Sequence, residues 1–250
     1  MPDGETAAQL VASLERARGE GIVDVCLKAE TKAGLPRGLL LAVASRETHC
    51  RNVVGDGGHG RGVFQIDDRS HQAFLQRHGV LAGGVPPLPE AAAYAAQLLL
   101  DNGRFARQQG VKAPDQLKFS LSAYNTGAGN AIKGYRLGDS DRTTAHANYG
   151  VDVLERLRIV QAWLDGAAVP AERPVLREGA RGKAVLELKQ RLAAALPGPP
   201  PFAMTPVWGP ALTVAVTAFQ RQHGLDDDGV VGRDTWRALD AKPAPTAAPV

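Results

Sequence analysis

An almost unbroken apolar stretch between residues 37 and 47 places the strongest limit on how this chain can fold. Residues 39–44 read LLLAVA, and Pro36 before them suits the first turn of a helix, where its missing N–H has no helical partner to lose. A helix that is apolar on nearly every side has to be surrounded by other elements. The sequence therefore predicts a buried central helix from Arg37 to about Glu47, inside a mainly α fold.

The last residue of that predicted helix, Glu47, is a candidate acid. Burial disfavours the ionised form of a carboxyl group, so a Glu that follows an apolar helix can keep its proton near neutral pH. Cleavage of a glycosidic bond requires such a group, because the leaving sugar oxygen has to be protonated. From the helix pattern alone, a surface Glu at a helix end is the more ordinary interpretation.

A glycine-rich segment follows the predicted helix. Five of the eight residues from 55 to 62 are Gly, which excludes a good helix, and the flanking apolar residues suit short strands. Asp56 lies in this segment and Asp67 follows the second short strand, so both carboxylates could face a cleft that Glu47 closes. Taken singly, Asp56 suits a turn and Asp67 suits a helix N-cap. Facing the cleft, either could supply the second carboxylate that inverting hydrolysis requires.

The pattern of the whole chain predicts two domains. Helical periodicity dominates residues 1–165, and helices are predicted over 90–100, 115–124 and 149–164. A composition shift at 166–174 predicts a linker, and residues 175–240 form a second block with its own apolar positions. Residues 241–250 are rich in Pro and Ala, which predicts a disordered tail.

Charge and residue usage exclude several classes of function. The formal net charge of +3 is scattered, without the basic and interleaved aromatic runs that bind nucleic acid. No apolar run approaches the roughly 20 residues that span a bilayer, so stable membrane insertion is not expected. Cys26 and Cys50 form no metal-binding pair, although one disulfide between them is possible. Neighbouring histidines lack the spacing of a zinc site, so we expect no metal and no cofactor.

Four segments together resemble the goose-type lysozymes in residues, order and separation. They are residues 44–49, 55–71, 122–130 and 148–149. The resemblance runs from about 21 to 164 and implies an α+β lysozyme-like domain, mainly α, with a small β element at the active-site cleft. Soluble lytic transglycosylases share the Glu at 47, the glycine-rich segment that ends in Gln65 and the Ala-Tyr-Asn motif at 123–125. They typically lack the two aspartates, Asp56 and Asp67, that this sequence has.

The resemblance also implies roles for individual residues. Glu47 would be the general acid, and Asp56 and Asp67 would position or deprotonate the attacking water. The residues that would line the glycan groove or support Glu47 are Gln65, His71, Tyr124, Asn125 and Tyr149. The two tyrosines of this set are equally consistent with packed core residues. His59 and Thr126 replace residues more usual in the family, which leaves the detailed groove open.

The second block resembles a three-helix peptidoglycan-binding module. The segments that carry this resemblance are 176–192, 215–225 and 228–236. Apolar residues at helical spacing predict its small core: Val185, Leu188, Leu192, Val216, Phe219 and Leu239. Residues 205–206 are Thr-Pro where Asp-Gly is usual, so that corner is expected to be reshaped. A weak internal echo between 207–213 and 230–235 predicts two related helix-entry turns.

Together the two resemblances imply a modular muramidase. It would hydrolyse the β-1,4 bond between N-acetylmuramic acid and N-acetylglucosamine by an inverting route, as a monomer whose partner is bacterial peptidoglycan. A lytic transglycosylase that forms 1,6-anhydro products is one alternative, and a wall-binding protein on an inactive scaffold is another.

The start of the chain bears on where the protein would act. The first ten residues lack the basic start and apolar core of a secretory signal. We therefore expect a phage endolysin that stays in the host cytoplasm until lysis and then acts on the cell wall, in the periplasm or outside. A bacterial protein delivered by a dedicated secretion machine is the alternative.

Overall fold

A computed structural model describes residues 5–167, 174–196 and 198–240 of the chain. The chain divides into two compact units, Met1–Pro170 and Ala171–Val250. The predicted tail at 241–250 and most of the predicted linker at 166–174 lie outside the described residues.

The first unit is mainly helical, as predicted, with a small sheet. Its helices are α1 (Ala7–Gly19), α2 (Ile22–Ala33), α3 (Leu39–Thr48), α4 (Gln72–Arg77), α5 (Leu88–Gln108), α6 (Gln116–Thr126), α7 (Ala128–Arg136) and α8 (Tyr149–Leu164). The prediction for 90–100 was too short, because α5 continues for two more turns. Helix α7 was not predicted, because Gly129 and Asn130 in its first turn are poor helix formers.

Helix α3 is the buried centre that the apolar run predicted. Every residue from Leu39 to Ala44 is fully buried. The helix has no side-chain cap of its own, and Glu30 from α2 supplies one. Its carboxylate accepts the backbone N–H groups of Gly38 at 2.7 Å and Leu40 at 2.6 Å. These bonds satisfy donors that the first turn of a buried helix would otherwise leave unpaired.

The glycine-rich segment forms the predicted β element. Its strands are β1 (Val54–Gly55), β2 (Gly60–Arg61) and β3 (Ile66–Asp67), antiparallel in the order β1-β2-β3. Gly60 pairs with Gly55 on one side and with Asp67 on the other. The sheet therefore brings the turn that contains Asp56 and the strand that ends in Asp67 to neighbouring positions.

The second unit contains α9 (Lys183–Ala195), α10 (Pro210–Gln222) and α11 (Arg233–Asp240) around its own core. All six core residues predicted from helical spacing are buried there. Two isolated antiparallel bridges, Leu176 with Val231 and Arg181 with Val207, precede α11 and α10 in the chain. The two similar segments, 207–213 and 230–235, thus correspond to two similar turns that each lead into a helix.

The corner at 205–206 is held by a buried lysine. The Lys189 Nζ donates to the carbonyl oxygens of Ala203 at 2.7 Å and Val207 at 2.8 Å. Gln220 has the corresponding position at the second corner, where its Nε2 donates to the Val230 carbonyl at 2.9 Å. Burial lowers the pKa of Lys189.

The structure also bears on the predicted state of the cysteines and on membrane insertion. Cys26 and Cys50 are buried free thiols, so the possible disulfide does not form in this structure. Within the described residues, no helix combines the length and the apolar character that crossing a membrane would require.

Candidate active site

A cleft of about 430 Å³ in the first unit brings most of the predicted site residues together. Among the residues that line it are Glu47, Asp56, Gln65, Asp67, His71, Tyr124 and Asn125. The cleft wall also includes Arg69, which sequence reasoning did not single out. The described residues contain no cluster of three or more His, Cys, Asp or Glu side chains arranged to hold a metal ion.

Glu47 lies near the end of α3, where the buried helix reaches the cleft. Removal of its carboxyl group from water raises the pKa to about 7. A hydrogen bond from Tyr149 and the charges of Arg46 and Arg156 act in the opposite direction, whereas the charge of Asp56 raises the pKa further. Glu47 can therefore keep its proton near neutral pH, as a general acid requires.

A buried ionic network lies behind Glu47. The Arg156 side chain is fully buried, and its Nε donates to Asp152 Oδ2 at 2.9 Å. The same oxygen lies 3.0 Å from Arg46 Nε, and Arg156 also pairs with Glu5. Through this network, α8 and the segment before α1 hold two positive charges near the Glu47 carboxyl group.

Tyr149 supports Glu47 instead of lining the cleft. Its ring is 2% exposed, and its hydroxyl donates to Glu47 Oε1. Burial and the nearby Glu47 carboxylate raise the pKa of Tyr149 well above its usual range, so this hydroxyl stays a donor. Of the two roles that the resemblance allowed, groove lining and support, the structure places Tyr149 in the second.

Tyr149→Phe should move the alkaline limb of the activity profile to higher pH by about one to two pH units. The hydroxyl stabilises ionised Glu47, and a hydrogen bond to a charged group contributes about 1.5–3 kcal/mol. The measurement is the rate of wall lysis from pH 5 to 10. Tyr124→Phe is the matched control, because the Tyr124 hydroxyl donates instead to the Phe64 carbonyl at 2.8 Å. An unmoved limb in Tyr149→Phe would contradict the assignment.

The two aspartates are joined by Arg69. The Arg69 Nη2 lies 2.6 Å from Asp56 Oδ2 and also donates to Asp67 Oδ2. The Arg69 backbone N–H donates to Asp67 Oδ1 at 2.7 Å, in a turn that precedes α4. Asp67 thus ends β3 and accepts from the turn that follows it, and the N-cap of α4 is His71. Hydrogen bonds from Arg69 hold the pKa of Asp67 below its ordinary value.

Gln65 explains why the first two strands are paired through glycines. Its backbone is left-handed, with φ of 45°, and its Nε2 donates to the carbonyl oxygens of Gly62 at 2.9 Å and Val53 at 3.2 Å. A Cβ atom on Gly55 would lie 2.1 Å from Gln65 Oε1, and one on Gly60 would lie 2.2 Å away. The carboxamide therefore occupies the space that side chains on these two residues would need.

Gly60→Ala should displace the Gln65 carboxamide and destabilise the protein by about 1–3 kcal/mol, because both hydrogen bonds of that group are lost. Thermal unfolding checks this. Gly60→Ala combined with Gln65→Ala should cost less than the sum of the two single changes, since the colliding group is gone. Gly83→Ala is the matched control, because a Cβ there meets nothing within 4 Å. Additive losses would contradict the collision.

The remaining predicted residues occupy the wall of the cleft. The His71 Nδ1 lies 3.0 Å from the Tyr94 hydroxyl, and burial lowers the pKa of His71. The side chain of Asn125 accepts the backbone N–H of Ala145 at 2.9 Å and so joins the end of α6 to the loop before α8. One face of each residue is thus fixed by the protein while the other lines the cleft.

Lysozymes of several birds are similar in sequence to this chain. The chain is 28% identical over 159 residues to Lysozyme G of Dromaius novaehollandiae, covering 61% of this chain and 72% of that protein. It is 28% identical over 160 residues to Lysozyme g of Struthio camelus, with the same coverage. It is 31% identical over 124 residues to Lysozyme g of Casuarius casuarius, covering 47% of this chain and 60% of that protein. The chain is lysozyme-like.

The C-terminal region of this lysozyme-like protein has a match of its own. A family described as "Putative peptidoglycan binding domain" matches residues 181–239, which include α9, α10 and α11. The two similarities support a lysozyme-type glycoside hydrolase joined to a module that binds peptidoglycan.

Sequence reasoning missed Arg69 and the network behind Glu47. Arg69 follows Asp67 by two residues, and this short spacing is the one local signal that could have indicated it. The partners Glu5 and Arg156 are 151 residues apart, so no local pattern connects them.

Proposed function

We propose that this protein is a muramidase that hydrolyses the β-1,4 bond between N-acetylmuramic acid and N-acetylglucosamine in bacterial peptidoglycan. The observation that carries the proposal is a pair of carboxyl groups in one cleft whose surroundings drive their pKa values apart. Burial raises the pKa of Glu47 to about 7, whereas Arg69 lowers that of Asp67. Such a pair supplies one proton donor and one ionised carboxylate at the same pH.

The chemical step we propose is a single displacement with inversion. Glu47 gives its proton to the leaving oxygen of the glycosidic bond. Asp56 and Asp67 orient a water molecule and accept its proton as the water oxygen bonds to the anomeric carbon. This requires the water to attack from the face of the sugar opposite to the leaving group.

The second unit contributes by tethering. Its match to a peptidoglycan-binding family supports binding to the same insoluble material that the cleft would cleave. A tethered enzyme meets its substrate at a high effective concentration without any new contact in the cleft. Full-length protein is therefore expected to lyse walls faster than a variant whose second unit no longer binds, while both cleave a short soluble glycan at equal rates.

Analysis of the cleavage products tests the proposed hydrolysis. Purified peptidoglycan is digested in H₂¹⁸O, and the muropeptides are examined by mass spectrometry. We expect reducing muramic acid ends that carry one ¹⁸O atom, and proton NMR of the early products should show the α-anomer. Anhydro ends without ¹⁸O would establish a lytic transglycosylase instead. An absence of any cleavage would establish a wall-binding protein without activity.

We further propose that the protein acts as a phage endolysin, held in the host cytoplasm until lysis and then released to the wall. The presence in one chain of a lysozyme-like cleft and of a match to a peptidoglycan-binding family supports this role. Expression in bacteria should leave the culture intact until a hole-forming membrane protein is co-expressed, after which turbidity should fall. Lysis without the hole-forming protein, at equal expression, would count against the role.

A further inference from the structure

We propose that Arg69 is a positioning residue that holds Asp56 and Asp67 together as a single unit for the attacking water. The inference rests on the proposed hydrolysis and assigns a function to a cleft residue that the resemblance left without one. It follows from the contacts that Arg69 makes with both carboxylates and from the origin of these carboxylates next to β1 and at the end of β3, the two outer strands of the sheet.

One side chain joins the two outer strands. Asp56 begins the turn after β1, and Asp67 is the last residue of β3. The Arg69 Nη2 bonds to an oxygen of each, and its Nε lies 3.0 Å from both oxygens of Asp67. A guanidinium group can make these contacts together because its donors lie in one rigid plane.

The local backbone needs such a restraint. Asp56 has a left-handed conformation, with φ of 48°, which residues other than Gly adopt rarely. The Asp56 side chain is 61% exposed, so packing does little to fix its direction. The bond to Arg69 is therefore the contact that directs its carboxylate toward Asp67 and the cleft.

Charge gives a second reason for the arrangement. Two carboxylates that both contact one guanidinium nitrogen would repel each other without it. Arg69 stays protonated across the ordinary pH range, so its charge and hydrogen bonds hold the pKa of Asp67 low and keep that carboxylate ionised.

Other charged groups face this pair from the surrounding elements. The charge of His59 also acts to lower the pKa of Asp67, and the charge of Asp67 partly offsets the lowering of the His71 pKa by burial. Asp56 raises the pKa of Glu47. His59 is itself paired with Asp68 at 2.8 Å, and Asp68 also pairs with Arg61. None of these groups bridges the two aspartates as Arg69 does.

Arg69→Met should lower kcat for wall hydrolysis by about tenfold to hundredfold, because a displaced catalytic group costs rate even when the substrate still binds. KM should change by less than about twofold. The acidic limb of the kcat profile should move to higher pH, since Arg69 is the largest cause of the low pKa of Asp67. Arg69→Lys keeps the positive charge but lacks the planar guanidinium group. It should return the acidic limb of the kcat profile toward its wild-type position without restoring the full rate.

Arg104→Met is the matched control. Arg104 pairs with Asp101 on α5 and is exposed to a similar extent, 56% against 57% for Arg69. It should leave kcat, KM and the pH profile unchanged. Circular dichroism and wall binding of each variant check that it is folded. If Arg69→Met does not fold, the rate and pH profile of Arg69→Lys still test the proposal.

A double-mutant cycle separates positioning from a general loss of structure. In an Asp67→Asn background, Arg69→Met should lower the rate much less than in the wild type, because the bridge from Arg69 to the two aspartates is already broken. Equal costs in both backgrounds, or an unchanged pH profile in Arg69→Met, would overturn the proposal. Failure of the underlying hydrolysis is distinguishable, because the wild type itself would then release anhydro ends.

Discussion

Glu47→Gln should reduce the rate of peptidoglycan cleavage by about a thousandfold while leaving the protein folded and bound to walls. Gln has the shape of Glu but cannot donate the proton that the leaving oxygen needs, and acid–base catalysis contributes about 10²–10⁴-fold. The rate is measured on stripped walls, with wall binding measured by co-sedimentation. Glu90→Gln, an exposed change in the first turn of α5, is the matched control and should remain fully active.

The same variant should be more stable than the wild type at alkaline pH. Below pH 4.5, the ordinary pKa of this group, both folded and unfolded chains carry the proton and stability is unaffected. Between pH 4.5 and about 7, the unfolded chain loses its proton first, so wild-type stability falls as pH rises. Above pH 7 the penalty is complete, at about 3 kcal/mol or less.

Chemical denaturation at pH 5 and pH 9 measures this difference. Glu47→Gln should gain stability relative to the wild type at pH 9 and gain little at pH 5. Equal differences at the two pH values would mean that Glu47 is not held in its neutral form by burial.

For the activity of Glu47→Gln, a residual cleavage rate above about a tenth of the wild-type rate would exclude Glu47 as the general acid.

The double variant Asp56→Asn with Asp67→Asn should lose about 10²-fold to 10³-fold in hydrolysis, because no carboxylate then remains to accept the proton of the attacking water. Asp56→Asn alone should also move the alkaline limb to lower pH, since the Asp56 charge raises the pKa of Glu47. Rates and products are measured on the same walls as for Glu47→Gln.

Two results would argue against water activation by the aspartates. One is a double variant with nearly the wild-type rate, which would indicate that the reaction needs no base for water. The other is a variant that still cleaves but releases anhydro ends. Asp101→Asn, on the exposed surface of α5, is the control for losing a carboxylate outside the cleft and should retain full activity.

The sequence predicted those parts of the site that depend on local pattern. The apolar run predicted α3 and placed Glu47 near its end, and the glycines predicted the short strands. Spacing of apolar residues predicted the core of the second unit, because a three-helix module has few other ways to bury Val185 or Phe219. In each case a single segment contains the information.

The parts that escaped prediction depend on contacts between distant segments. The fully buried Arg156 looks in the sequence like any charged residue on an amphipathic helix, and its partner Glu5 precedes α1. The sequence left two roles open for Tyr149, groove lining and support of Glu47, and the choice between them likewise requires α3 and α8 to pack together. Gln65 shows the same limit, since the reason for Gly55 and Gly60 becomes visible only once the carboxamide is placed between the strands.

The separation of the hydrophobic cores has a consequence for how such proteins diversify. The apolar side chains of the first unit pack among residues 10–163, and those of the second unit pack among residues 176–239. A gene fragment that encodes the second unit therefore carries a complete core with it, including the lysine that holds its unusual corner. Recombination can therefore join this fragment to another domain with these core contacts preserved.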